Sequence, residues 1–278
     1  MLKIGFKNFN NWAEIDYCFL KAFRDYGIEY IVVDPIYECA DIVFKKNLKS
    51  DQKLQGNPFI IGYTDSIVYD IENANASLSF YEDDETNLYY PTWQIKYGLH
   101  SDNPIVKNNE EKDLFCSFIE QYDSEKRNGT VINICWKYKQ IICCGFKWSN
   151  SGYYFDEDKD YRYIKEFHRR VKFNLCFEDF ETNGSLSYIT NKIIRAYEYG
   201  VVPIYCGSHN ITNWFNPDSF INCNGLSDDE ILNKIIEVDT NDELYKHMLY
   251  SKPFNENIEW KNYSESRLIN FLKKKGII

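Results

Sequence analysis

The sequence predicts an α/β protein built from two Rossmann-like domains, and three observations carry that prediction. Short apolar strands alternate with helical periodicity through residues 1–100, a compact βαβ unit lies within residues 172–223, and a polar, charge-rich stretch at 101–112 separates the two regions. A chain of 278 residues makes one large domain or two of about 100 to 150 residues each. Two is the better count. The boundary is placed near Asn108, giving an amino-terminal domain 1–108 and a carboxyl-terminal domain 109–278.

The first half opens with a strand over Leu2 to Phe6. Asn11 followed by Glu14 reads as a capping box for the next helix, whose apolar face is Trp12, Ile15, Phe19, Leu20 and Phe23 before Gly27 stops it. Tyr30 to Val33, Ala40 to Phe44 and Pro58 to Tyr63 follow as short strands. Beyond the linker, Leu114 to Glu120 and Ile141 to Gly145 read as further strands. The tail carries Leu268, Ile269, Phe271 and Leu272 ahead of Lys273 to Lys275, an amphipathic end that either packs on the protein or makes weak peripheral contact with an anionic membrane surface.

The βαβ unit begins with the apolar run Phe173 to Phe177, which ends in the acidic pair Glu178 and Asp179. A polar loop reaches Ser187. Ile189, Ile193, Ala196 and Tyr197 then recur at helical spacing, Gly200 suits a left-handed cap, and Val201 to Tyr205 forms a second buried strand ending at Cys206-Gly207. At the expected helix start, Ser187, Tyr188, Thr190 and Lys192 gather hydroxyls and an ammonium around backbone amides. An anion is favoured at such a place, because free N–H groups and the positive end of the helix dipole face it. A helix merely capped by Ser187, with Lys192 solvated, explains the same residues.

This stretch closely resembles the donor-binding motif of the α-1,3/4-fucosyltransferases, glycosyltransferase family 10, with the bacterial members nearest. The matching pieces are Phe173-Asn174-Leu175-Cys176-Phe177-Glu178-Asp179, Tyr188-Ile189-Thr190-Asn191-Lys192, Val202-Pro203-Ile204-Tyr205-Cys206-Gly207 and Phe215-Asn216-Pro217-Asp218-Ser219-Phe220-Ile221. The resemblance implies a GT-B arrangement, two Rossmann-like domains facing a cleft, and an inverting transfer of L-fucose from GDP-fucose to a glycan acceptor. It implies donor-binding roles for Glu178, Ser187, Tyr188, Thr190, Asn191 and Lys192, and a catalytic role for Lys192 against the leaving diphosphate. Asn191 stands where the family has the glutamate expected to hold the ribose, and Asp179 replaces an asparagine. Lys147 is the cation nearest to the family's diphosphate arginine. The family's base is a glutamate after a tyrosine-threonine-glycine turn; the turn here is Gly62-Tyr63-Thr64-Asp65-Ser66, and Asp65, one residue early, is the candidate base. Another sugar nucleotide, or a catalytically degenerate protein of the same fold that binds nucleotide or glycan, stays open beside this reading.

A formal charge of −10 argues against nucleic acid, whose phosphates demand a basic face. Aromatic residues make up 17% of the chain, a content that suits sugar contact as well as an ordinary core. Nine cysteines without a CxxC pair read as buried thiols of a reducing, cytoplasmic compartment. The acidic runs Glu82 to Glu85 and Asp156 to Asp160 read as solvated loop acid rather than a divalent-metal site, and the second lacks the glycine and glutamate positions of a calcium loop. No metal or other cofactor is expected for the chemistry. The histidines are scattered and suggest neither a ligand set nor a triad.

Overall fold

The computed structural model describes residues 1–9, 11–46, 53–64, 74–91, 93–94, 111–119, 125–145, 149–155, 160–257 and 263–278. They fall into two compact units. One comprises Met1–Asp102, Gly184–Ile189 and Glu259–Ile278, the other Asn103–Asn183 and Thr190–Ile258. The expected boundary at Asn108 lies outside the described residues.

The first unit holds a six-stranded parallel sheet. Its strands are β1 (Leu2–Lys7), β2 (Tyr30–Val33), β3 (Ile42–Lys46), β4 (Phe59–Tyr63), β5 (Ala76–Ser79) and β6 (Asn87–Tyr89), in the order β2-β1-β3-β4-β5-β6. Between β1 and β2 the chain forms α1 (Trp12–Ile15), a π-helical turn (Asp16–Leu20) and α2 (Lys21–Asp25). Asn11 caps this run by accepting from the Ala13 N–H at 2.9 Å, but the reciprocal half of the box is missing, because Glu14 pairs with Lys46 at 2.9 Å instead. Ile15, Phe19, Leu20 and Phe23 are buried as their spacing requires. Trp12 is not: at the first helical position it points off the packed stripe and is 68% exposed. Strands β5 and β6 escape a sequence reading, since Ser77, Ser79 and Asn87 interrupt any apolar run. Those polar groups are satisfied internally, the Asn87 amide oxygen accepting from both Ser77 and Ser79 at 2.7 Å.

The carboxyl-terminal helix α8 (Tyr263–Lys274, counted after the helices named below) belongs to this same unit. Leu268, Ile269 and Leu272 are fully buried in one core with Ile4, Phe19 and Phe44. Around them Ser264 donates to the Gln94 carbonyl at 3.0 Å, Arg267 donates to the Tyr89 carbonyl at 2.8 Å, and Glu265 accepts from Lys21 at 2.6 Å. The apolar face of the tail is therefore spent on the core.

The second unit is a five-stranded parallel sheet of β7 (Leu114–Phe118), β8 (Ile141–Cys143), β9 (Val171–Thr182), β10 (Val202–Ser208) and β11 (Ile221–Asn222), ordered β11-β10-β9-β7-β8. Its helices are α3 (Glu125–Lys137), α4 (Tyr161–His168), α5 (Lys192–Tyr199), α6 (Asp228–Thr240) and α7 (Asp242–Tyr250). Gly200 ends α5 at φ 70°, as its place in the sequence predicts. Strand β9 runs further than its apolar stretch, carrying Glu178 and Asp179 within it. Its pairing with β10 resumes at Thr182 opposite Ser208 after a register shift.

His168, at the end of α4, is fully buried and stacks on Tyr199 at 4.5 Å. Its Nδ1 lies 2.8 Å from the Ile164 carbonyl, so it carries the proton, and Nε2 is 2.8 Å from the Ser117 hydroxyl. Burial is the main reason its pKa is pulled down to about 4 from 6.5. Of the nine cysteines, all free, seven are buried as expected, Cys135 is partly so and Cys39 is exposed. Among the described residues no helix is long and apolar enough to cross a membrane, and no group of three or more His, Cys, Asp or Glu side chains is arranged to hold a metal ion.

Candidate functional site

In a parallel sheet, ligands are met beyond the carboxyl ends of the strands. In the second sheet that is where β9 carries Glu178. The side chain is only 5% exposed, a costly place for a carboxylate. Both oxygens are used: Oε1 accepts from the Thr190 N–H and Oε2 from the Thr190 hydroxyl, each at 2.7 Å. Burial is the largest influence on Glu178 and pushes its pKa up to about 7, against the pull of Lys192 and of the two Thr190 bonds.

That brace explains where α5 begins. The spacing of Ile189 and Ile193 suggests a helix starting near Ser187, capped by its hydroxyl. Instead α5 starts at Lys192, and Asn191 at the cap position makes no side-chain cap bond. Residues 186–189 are not helical, because the backbone here is paired within the first unit. Leu186 bridges Tyr81, the Ser187 N–H donates to the Phe80 carbonyl at 2.8 Å, and the Ser187 carbonyl accepts from the Tyr89 hydroxyl at 3.1 Å. Tyr188 meets Phe80 edge to face at 4.8 Å. Thr190 then enters the second unit on the Glu178 brace, and its hydroxyl lies 3.4 Å from the Lys192 N–H. The amides of Ser187 and Thr190, which a helix start would have left open, are both occupied.

Lys192 opens α5 with its ammonium turned back to the end of β9. Nζ donates to the Phe177 carbonyl at 2.8 Å and lies 3.5 Å from Asp179 Oδ1, with about a fifth of the side chain exposed. One cation, the amino end of a helix and a braced turn thus converge where the regular pairing of β9 with β10 ends, an arrangement that favours a bound anion. A phosphate oxygen offers this ammonium a full charge, a stronger partner than a carbonyl dipole.

The structure brings together Glu178, Thr190, Asn191 and Lys192 of the expected residues and places Ser187 and Tyr188 in the segment that packs with the first unit. Asp65 and Lys147 lie outside the described residues. Gly207, read from the sequence only as the close of a strand and of the motif, and Asn224, not read at all, also belong here. A Cβ on Gly207 would come within 2.5 Å of Glu178 Cγ and 2.7 Å of the Tyr205 hydroxyl oxygen, and the Gly207 N–H is held by the Asn224 side chain at 2.7 Å. A glycine two residues after a buried Tyr and opposite a buried Glu was the available signal. Gly207→Ala is expected to cost about 1 to 3 kcal/mol through forced displacement of buried side chains and to loosen the Thr190 turn. Urea unfolding checks the first effect and GDP calorimetry the second; unchanged values in both would mean that Glu178 has room to move.

The two perturbed groups of this unit also set a pH dependence. Between about 4 and 6.5 the unfolded chain binds more protons at His168 than the folded one, so this group makes stability rise with pH. Between 4.5 and about 7 the folded chain binds more protons at Glu178, so this group makes stability fall as pH rises. Each is worth about 3 kcal/mol across its window, and the slopes oppose. Wild type is expected to show little net slope from the pair, whereas Glu178→Gln should gain stability steadily from pH 4 to 6.5. Urea midpoints at several pH values test this, and a flat Glu178→Gln profile would contradict it.

Residues 108–268 match the model of glycosyltransferase family 10 (fucosyltransferase), carboxyl-terminal part. An α-(1,3)-fucosyltransferase of Helicobacter pylori is 28% identical over 222 residues, which are 76% of this chain and 44% of that protein. GDP-fucose protein O-fucosyltransferase 3 of Homo sapiens is 31% identical over 125 residues, 43% of this chain and 23% of that protein. The chain thus spans less than half the length of these curated relatives. Among solved structures, an α1,3-fucosyltransferase with GDP-fucose aligns over 98% of this chain and 90% of its own, with a TM-score of 0.73 at 23% identity. The DNA-modifying β-glucosyltransferase aligns over 99% and 97%, with a TM-score of 0.59 at 14% identity. The two structural likenesses bear on the fold, which is the α/β class of paired parallel sheets read from the sequence.

Proposed function

The chain belongs to glycosyltransferase family 10, the fucosyltransferases, and from that membership we propose that it transfers L-fucose from GDP-fucose to a glycan hydroxyl with inversion at the anomeric carbon. The acceptor oxygen attacks from one face while the bond to the diphosphate breaks on the other, and the acceptor proton passes to a base. The observation that carries this reading is the ammonium of Lys192 at the start of α5, fixed against the end of β9 beside a turn that Glu178 braces. In the proposal Lys192 takes up the negative charge that grows on the departing GDP. Lys147 adds a second cation, Asn191 and Tyr188 meet the nucleoside, Ser187 and Thr190 complete the donor loop, and Asp65 removes the proton. The second unit supplies most of the donor side and the first unit the acceptor side.

GDP-fucose is the favoured donor because it is named with both the human relative and the solved fucosyltransferase, although their identities to this chain differ. Asn191 keeps hydrogen-bonding capacity for ribose hydroxyls without the charge of the family's glutamate. No metal is assigned to the chemistry, since the leaving charge is met by lysine and backbone. We place the reaction in the cytoplasm; a peripheral membrane contact through α8 would rest on Lys273 and Lys274 alone, its apolar face being buried. Incubation with GDP-fucose and an N-acetyllactosamine acceptor should release GDP and yield a fucosylated product of inverted configuration by NMR. Tight GDP binding without turnover of GDP-fucose, GDP-mannose or UDP-glucose would contradict the proposal and favour a degenerate binding protein.

A further inference from the structure

We propose that the aromatic-walled cavity beside α4 is a second carbohydrate site, which binds a neutral saccharide away from the point of transfer. The cavity has a volume of 550 Å³, within the range of about 300 to 1,000 Å³ of small-ligand pockets. Its floor is a cluster of rings in the second unit: Phe155 and Phe167 lie 5.6 Å apart, and Tyr153 sits 5.4 Å from Phe167. The floor is held from below, the Phe155 N–H donating to the Cys144 carbonyl and the Tyr153 carbonyl accepting from the Ser149 hydroxyl, both at 3.0 Å. Tyr154 and Tyr163 rise at the rim, 66% and 70% exposed.

The polar lining is what selects the ligand. Asp160 and Glu166 line the cavity as acids, Glu166 also lying 3.4 Å from Arg169, and Arg170 brings a guanidinium whose orientation is fixed by a two-pronged ion pair with Asp113. Flat rings with hydroxyl tips match the apolar faces and polar edges of pyranose sugars, and a carboxylate with two acceptor oxygens matches adjacent sugar hydroxyls. A phosphorylated ligand would meet two acids and an Arg170 already neutralised by Asp113, and a purely apolar one would make no use of the acids and tyrosine hydroxyls.

The cavity is not the donor site. Its lining shares no residue with the Glu178, Thr190 and Lys192 site, and its Arg170 end precedes β9, eight residues or about 25 Å of extended strand before Glu178. That the bound saccharide is part of the acceptor glycan rests on the transferase reading; that a saccharide binds does not.

The test uses the whole chain without nucleotide. Saturation-transfer NMR and calorimetry with N-acetyllactosamine oligomers should show binding, and Tyr154→Ala and Tyr163→Ala should each weaken it about tenfold while leaving GDP affinity unchanged. Glu166→Gln, which keeps the shape, should weaken it as well. In transfer assays, the KM for a long oligomer should rise in the tyrosine variants and that for a single disaccharide should not. Absence of binding, equal binding by all three variants, or uptake of tetramethylammonium in place of the saccharide would overturn the proposal. Failure of transfer with saccharide binding intact would count against the enzymatic reading and leave the second site standing.

Discussion

Lys192→Ala is expected to lower the rate of sugar transfer by at least about a hundredfold, the usual cost of losing one well-placed donor to a developing anion, and to weaken GDP binding markedly. The side chain ends on a carbonyl oxygen and near a part-exposed carboxylate, 2.8 and 3.5 Å away. Its removal leaves the Phe177 carbonyl within a sheet and the Asp179 carboxylate in contact with solvent, so the fold should tolerate it. A melting temperature close to that of wild type, together with lost GDP affinity in calorimetry, is the expected pair of results. Lys192→Arg separates charge from shape: the guanidinium keeps the charge but spreads it over a planar fork in place of a compact ammonium, and a partial loss is expected. Full activity in Lys192→Ala would remove the residue from the reaction.

The largest stability effect is expected at Asp239, near the carboxyl end of α6, where the helix dipole disfavours a negative charge. Its side chain is fully buried. It accepts from Lys139 at 2.6 Å and from the Tyr138 hydroxyl at 2.7 Å, and it also pairs with Lys172. Burial acts to raise its pKa, but the bonds from Lys139, Lys172 and Tyr138 prevail and hold it below the ordinary aspartate value. Lys172 is 4.7 Å from the centre of the Tyr245 ring and largely enclosed. Asp239→Ala leaves two ammonium groups facing each other without a counter-ion, a loss of about 3 kcal/mol. This is the low end for a broken buried pair, because Lys139 is half exposed. Asp239→Asn should lose nearly as much, since the charge and not the volume holds the lysines. Urea denaturation decides: a loss under about 1 kcal/mol in both variants would show that the lysines find water instead.

Neither Asp239 nor His168 could be recognised in the sequence, and the reason is the same. Each is polar, and its partners lie far away along the chain. Asp239 meets Lys139 from the loop before β8 and Lys172 from β9, and His168 at the end of α4 meets Ser117 on β7. Local periodicity reports which face of an element is buried and says nothing of such meetings. Four of the five parallel strands of the second unit, all but the two-residue β11, were legible because strands buried on both faces are nearly continuous apolar runs, as Phe173 to Phe177 and Val201 to Tyr205 are. The end of α5 was legible too, through Gly200.

The start of α5 was not. Whether Ser187 caps a helix or pairs with Phe80 depends on a strand from another part of the chain, and the extended pairing uses the Ser187 amide that a helix start would leave open. The candidacy of Lys192 as a site residue came from the motif around it. Its posture, turned back onto the Phe177 carbonyl, could only come from the fold. Glu178 shows the same division: the sequence marks an acid at the end of an apolar strand, while the two bonds to Thr190 and the missing Cβ of Gly207 show why that acid is a brace.

The measurement that bears most directly on this account is a crystal structure of the protein with GDP. It should show a diphosphate oxygen within hydrogen-bonding distance of Lys192 Nζ, with the Thr190 turn still held by Glu178. GDP bound elsewhere, or bound here with Lys192 still on the Phe177 carbonyl and no phosphate contact, would contradict it.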